Sequence, residues 1–126
     1  MIEYSMKALT AEELSFKVNP IKAAPDTKFE IKPLFSRQIR HANENPKINI
    51  VILECKIEST QESPKPFNLV ARFVGVFEVN NMETDEDRRF FAINATETMF
   101  PYLRAAVSNL TADALINPLT LPVVPG

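Results

Sequence analysis

Two segments carry apolar residues on both faces of a period-two repeat, and they constrain the fold more than anything else in the chain. In Lys47 to Ser59, Ile48, Ile50 and Ile52 point one way, while Val51, Leu53, Cys55 and Ile57 point the other. In Phe67 to Asn80, Phe67, Leu69, Ala71, Phe73 and Phe77 share one face, with Gly75 between the last two. Val70, Val74 and Val76 share the other with Asn68, Arg72 and Glu78. Strands with this pattern are central and covered on both sides for part of their length. A length of 126 residues, 45% of them hydrophobic, supplies about one domain with an ordinary core, so residues 1–126 are expected to form a single unit.

Weaker strands precede these two. Leu14, Phe16 and Val18 alternate with Ser15 and Lys17, before Pro20 and Pro25 punctuate the chain. Lys28 to Arg40 alternates again through Phe29, Ile31 and Leu34, and Pro33 predicts a bulge or an edge position. The polar stretches His41–Pro46 and Thr60–Pro66 read as turns. Four strands joined by polar turns predict an antiparallel meander.

After Asn80-Asn81 the apolar spacing becomes three and four, through Phe90, Phe91, Ile93, Ala95, Met99, Phe100, Leu103, Ala106, Val107 and Leu110. That is a helix from Arg88 to Thr111. Thr84 is its predicted N-cap, and Asp85, Glu86 and Asp87 sit where a helix start favours negative charge. Pro101 predicts a kink or break near Thr98 or Met99. From Asn117 three prolines predict an irregular tail. The class is α+β. One helix covers only one face of a four-stranded sheet, so a partner subunit is the simplest cover for the other.

Composition removes much of the catalytic repertoire. A net charge of −2 argues against nucleic acid as the main partner. Gly75 and Gly126 are the only glycines, too few for a phosphate-binding loop. One cysteine and one histidine build neither an internal disulfide nor a Cys/His zinc site. No apolar run reaches the ~18 residues of a membrane span, and Met1 to Lys7 has no signal-peptide pattern, so a cytoplasmic location without membrane insertion is expected. His41 reads as a surface residue and Cys55 as a buried thiol. Glu83 and Asp85–Asp87 read as a helix start, since they lack the spacing of a calcium loop. Lys28, Lys32, Arg37 and Arg40 read as a solvated strand face. No catalytic set, metal site or cofactor site emerges, and the pattern favours a binding or assembly protein. Phe67, Phe73, Phe77, Phe90, Phe91 and Phe100 are either core or the lining of an apolar groove, and the sequence does not divide them.

At the helix a resemblance emerges. Met99-Phe100-Pro101-Tyr102-Leu103-Arg104 resembles the Leu-Phe-Pro-Tyr-Ala-Arg motif of the SecB-type protein-export chaperones, and Ala106-Val107-Ser108-Asn109-Leu110 continues in that manner. Leu119 to Val124 resembles the family's crossover segment, with its proline one place early. Gly75-Val76-Phe77 and Leu14-Ser15-Phe16 resemble the ends of its fourth and first strands. The resemblance implies a SecB-like fold in a homotetramer, a dimer of dimers. It implies an ATP-independent holdase for unfolded polypeptides in protein export. Client contacts are then expected from Phe73, Phe77, Phe91, Met99 and Phe100, and oligomer contacts from Ile48, Ile50, Ile52, Phe100 and Leu103.

Three features depart from the family. The chain stops at Gly126, where the family continues into a second helix. The paired-cysteine stretch of some members falls at Ala92 and Ala95. Of the acidic positions that dock the motor SecA, Glu13 remains, Lys17 reverses the second and Val70 replaces that of the fourth strand, so SecA binding is expected to be weak or absent. Two alternatives keep the fold: a dedicated chaperone of an antitoxin in a toxin–antitoxin system, and an interaction protein without holdase activity.

Overall fold

The computed structural model describes residues 2–19, 33–42, 44–62, 65 and 67–113. Four strands precede one helix: β1 (Glu3–Val18), β2 (Leu34–His41), β3 (Ile48–Ile57), β4 (Phe67–Asn80) and α1 (Asp85–Asp113). Strand order is β1-β4-β3-β2, with every neighbouring pair antiparallel. This is a Greek key, and it corrects the expected meander. The strands β2, β3 and β4 do follow one another through short turns. The strand β1 instead lies beside β4, pairing along it from Glu3↔Asn80 to Val18↔Phe67. The two longest strands are thereby matched, and β4 becomes central, as its apolar residues on both faces require. Phe29, Ile31, Lys28, Lys32 and the tail from Asn117, including the crossover-like Leu119–Val124, lie outside the described residues.

The strand β1 begins eleven residues before Leu14, where alternation first became legible. Two register shifts, at Met6/Ala8 and Ala11/Glu13, hide it. Its inward set is Tyr4 and Met6, then Leu9 and Ala11, then Leu14, Phe16 and Val18, and each bulge moves the phase by one residue. Pro33 stands just before β2, an edge strand, where a missing N–H costs the ladder nothing.

The predicted two-faced strands appear as drawn. Val51, Leu53, Cys55 and Ile57 of β3 and Phe67, Leu69, Ala71, Phe73, Phe77 and Val79 of β4 are buried beneath α1, while Ile48, Ile50, Ile52, Val70, Val74 and Val76 are half-buried on the opposite face. Phe91, Ala95, Met99, Phe100, Leu103 and Val107 close the core from the helix side. Gly75 lets the helix approach closely. A Cβ there would stand 2.9 Å from the Met99 sulfur and 2.8 Å from Cε1 of Phe77. Asn49 and Thr111 also occupy fully buried positions, which the apolar pattern did not flag. The Oγ1 of Thr111 donates to the Val107 carbonyl at 3.0 Å.

Asn81, with φ at 64°, ends β4 in a left-handed turn that asparagine tolerates. The predicted cap follows. The N–H of Asp87 donates to Oγ1 of Thr84 at 3.1 Å, and Oδ2 of Asp87 accepts the N–H groups of Glu83 at 3.0 Å and Thr84 at 3.1 Å. These bonds form a reciprocal capping box. They hold the Asp87 carboxyl below its ordinary value, with the Glu83 N–H the largest cause. A depressed native pKa stabilises the fold above the unfolded value, and the stabilisation is lost as pH falls through the native one. Asp87→Asn is therefore expected to lower the melting temperature at pH 7, with the gap closing as pH drops below the ordinary 3.8; calorimetry at the two extremes checks it.

Of the kink or break expected at Pro101, the break does not occur: α1 continues through the proline as one helix. Pro101 and Glu97, whose carbonyl loses its usual partner, are both exposed, so water can replace the missing bond. The fully buried Met99, Phe100 and Leu103 hold both sides of the proline onto the sheet, outweighing a helix penalty of about 3 kcal/mol.

Candidate functional site

The side chains expected to line a client groove are placed in the protomer core. Phe77, Met99 and Phe100 are fully buried, Phe91 is 1% exposed and Phe73 8%. Phe77 and Phe91 meet edge-to-face at 5.5 Å, Tyr4 closes on Phe91 at 6.0 Å, and Phe100 packs against Phe35 at 5.8 Å. Phe100 and Leu103, expected at an oligomer interface, are also fully buried between their own helix and sheet. The cause is helical phase. Phe91, Ala95, Met99, Leu103 and Val107 form an i, i+4 ridge seated on the inner faces of β3 and β4. Ile48, Ile50 and Ile52 remain half-exposed on the outer face of the sheet.

Exposed apolar surface lies elsewhere. Phe90 and Ile93 project from the outward side of α1, and Tyr102 is half-exposed further along. Leu14 and Val18 are exposed near the end of β1, and Leu34 at the start of β2. Between β2 and the first turns of α1 lies an open groove of about 290 Å³ with Ile39, Met82, Phe91 and Ala92 in its lining. Only Phe91 of the expected client residues reaches any part of it. Met82 fell in a segment without periodicity, so nothing in the spacing marked it.

The outer sheet face carries a charge cluster. Nε of Arg72 donates to Glu54 at 2.7 Å, and Nη1 reaches Glu12 at 3.4 Å and Glu13 at 3.5 Å. The bond to Glu54 is the main reason that the Arg72 pKa rises above its ordinary value. Glu13, expected from the resemblance as a docking position, is therefore partly neutralised. Glu12 and Glu54 join it across three strands, through a register that sequence spacing does not reveal. Lys17 is exposed near the end of β1.

The reactive candidates take ordinary positions. Cys55 is fully buried, and burial, aided by the neighbouring Glu54 charge, pushes its thiol up to about 12, so it is protonated at neutral pH. His41 is exposed at the end of β2. Asp87 is used as a cap, and Asp85 accepts from Nη1 of Arg88 at 2.7 Å. Arg37 departs from the solvated-face reading, because its Nη1 donates to Thr96 of the helix at 3.0 Å. Among the described residues no group of three or more His, Cys, Asp or Glu is placed to hold a metal ion.

A Greek-key sheet backed by one long helix, offering apolar surface and paired charges, defines a SecB-like α+β scaffold. The chain belongs to the SecB family: residues 3–125 match the family described as preprotein translocase subunit SecB. An uncharacterized protein of Methanocaldococcus jannaschii is 32% identical over 100 residues, 79% of this chain and 64% of that protein, so the match spans less than two thirds of that relative. The protein-export protein SecB of Anaplasma phagocytophilum is 28% identical over 124 residues, 96% of this chain and 73% of that one. Among solved structures, a SecB-like chaperone of Mycobacterium tuberculosis, in complex with a ChAD peptide from an antitoxin, superposes with a TM-score of 0.76. It shares 17% identity, with 98% of this chain and 91% of that chain covered. A Streptococcus agalactiae protein of unknown function superposes at 0.56, with 11% identity over 97% of this chain and 98% of its own.

Proposed function

We propose that this chain is an ATP-independent chaperone that holds unfolded or partly folded polypeptides, in the service of protein export. The observation that carries this reading is the SecB family match over residues 3–125. It acts by binding rather than by catalysis, and we place it in the cytoplasm. Among the described residues no helix is long and apolar enough to cross a membrane. Apolar surface removed from water contributes roughly 25 cal/mol per Å² with little demand on client sequence. Clients meet the exposed apolar side chains and the β2–α1 groove. The buried Phe73, Phe77, Met99 and Phe100 act indirectly, as the floor that holds those surfaces in place.

The assembly is a dimer of dimers, which needs two distinct interfaces. Two apolar surfaces support it: Ile48, Ile50 and Ile52 outside the sheet, and Phe90 with Ile93 outside the helix. SecA is at most a weak partner, since Arg72 engages Glu13 and the exposed Lys17 stands in a family acidic position. That same observation is consistent with a second reading, a dedicated chaperone of an antitoxin.

The purified protein is expected to suppress aggregation of several unrelated unfolded clients at near-stoichiometric ratio, with ATP making no difference. Suppression confined to one tight client moves the assignment to the dedicated chaperone. Suppression of none moves it to an interaction protein of the same fold.

A further inference from the structure

The outer face of the sheet holds a patch of β-branched side chains. Ile50 is paired with Val76 and Ile52 with Val74, so the four adjoin across β3 and β4, all half-buried. Among the described residues α1 covers the inner face, and no element covers this one. A ten-residue length of the four strands presents a flat area of about 650 Å² at ordinary strand spacings, before side-chain relief is counted, near the ~800 Å² per partner of a standard interface. Charge is divided between the two sides of the patch. From Ala8 to Glu13 the adjoining stretch of β1 carries two acids, Glu12 and Glu13, and no base. From Ser36 to Arg40 the matching stretch of β2 carries two bases and no acid. Arg37 is engaged with Thr96, whereas Arg40 has no ion-pair partner among the described residues. Lys7 and Lys17 lie beyond the ends of the patch. A hollow of about 700 Å³ on this face has both Glu12 and Arg40 in its lining, one from each edge strand. Between the edges, Arg72 of β4 and Glu54 of β3 are paired side by side.

We propose that this face packs on the same face of a second copy, about a two-fold axis that runs along the strands. The proposal rests on the assembly reading and names the geometry of one of its two interfaces. Such an axis lays β1 of each copy over β2 of the other, and β4 over β3. Glu12 and Glu13 then face the Arg40 edge of the second copy, Arg72 faces Glu54 and Glu54 faces Arg72. The Ile and Val side chains meet between these charges, as the inner faces of an aligned β-sandwich do. The other in-plane axis, across the strands, lays β1 over β1 and β2 over β2, and brings acid to the acidic edge and base to the basic one. Burial of the patch supplies affinity, and the charges select the axis. A face covered in this way is closed to any third protein, Glu12 and Glu13 included.

The test uses two full-chain variants, Arg72→Glu and Glu54→Arg, followed by sedimentation velocity alone and in a one-to-one mixture. Each variant alone sets like charges across the axis, and the symmetry breaks every pair twice. Each is therefore expected to raise the concentration at which the particle halves by roughly tenfold. In the mixture the charges are opposite again across the axis, but only between unlike copies. The particle of the unaltered protein should return there, and each such particle should contain both variants when the two carry different fluorescent labels. If either variant fails to fold by circular dichroism, Glu12→Arg and Arg40→Glu, both on exposed side chains of the edge strands, are read in the same way. Folded variants that assemble like the unaltered protein overturn the proposal, as does a mixture that assembles no better than its components. In both cases a particle larger than the monomer leaves the assembly reading standing on other faces. A monomeric unaltered protein removes the two together.

Discussion

Phe77→Ala is expected to cost about 3–5 kcal/mol of folding free energy, the range for deleting a fully buried aromatic ring. Phe77 has no exposed surface, packs edge-to-face on Phe91 at 5.5 Å and lies 6.5 Å from Tyr4, so its removal leaves a cavity bounded by strand and helix. A collapse of Met99 across Gly75 would fill part of that space, which sets the lower end of the range. Domains of this size are stable by about 5–15 kcal/mol, so the variant loses a large fraction of its margin. Urea unfolding followed by circular dichroism measures the loss, and client binding should fall only in step with the folded fraction. A cost below about 1 kcal/mol, with client binding abolished in a folded variant, would return Phe77 to the role of a groove wall.

Ile50→Glu and Ile93→Glu are each expected to break one interface of the proposed tetramer and leave dimers. Ile50 is half-buried at the centre of the outer sheet face, and Ile93 is 55% exposed on the outward side of the helix. Neither substitution empties the protomer core, so the fold should survive both. In an apolar interface, an uncompensated carboxylate loses the hot-spot contribution of its predecessor, about 2 kcal/mol or more, and adds desolvation. Together these weaken the dissociation constant by about a hundredfold or more. Light scattering at micromolar concentration reads the result, and the double variant should be monomeric. A tetramer that survives either substitution removes that face from the assembly. A monomeric unaltered protein removes the assembly altogether.

The acidic cap and the cluster around Arg72 show how differently local and long-range signals are written. Thr84 and Asp87 are three residues apart, and the bonds that join them form within one helical turn, so the cap was legible from composition at one point in the chain. Glu12, Glu13 and Glu54 meet Arg72 only because β1 and β3 flank β4 in a particular register. Glu13 looks like a free acidic position until that register is known.

The strands followed the same division. The alternation of β3 and β4 persists without interruption, and each face it predicted is the face observed. The strand β1 alternates in three short phases separated by two bulges, which no fixed period detects. The pairing of β1 with β4 depends on backbone hydrogen bonds between residues 49 to 77 positions apart, and those leave no trace in local spacing.

What the sequence determined by itself was the α+β class, the two central strands with their faces, the helix and its cap, the buried character of Cys55, and the SecB resemblance that family membership upheld. Periodicity and capping are properties of neighbouring residues, and they survive without a partner in space. Only the tertiary structure decided that the phenylalanines expected in a groove are core, that α1 passes Pro101 unbroken, and that apolar surface is left between β2 and α1. Each depends on which side of a helix meets which face of a sheet, and that choice is made by the packing of the whole domain rather than by any segment alone.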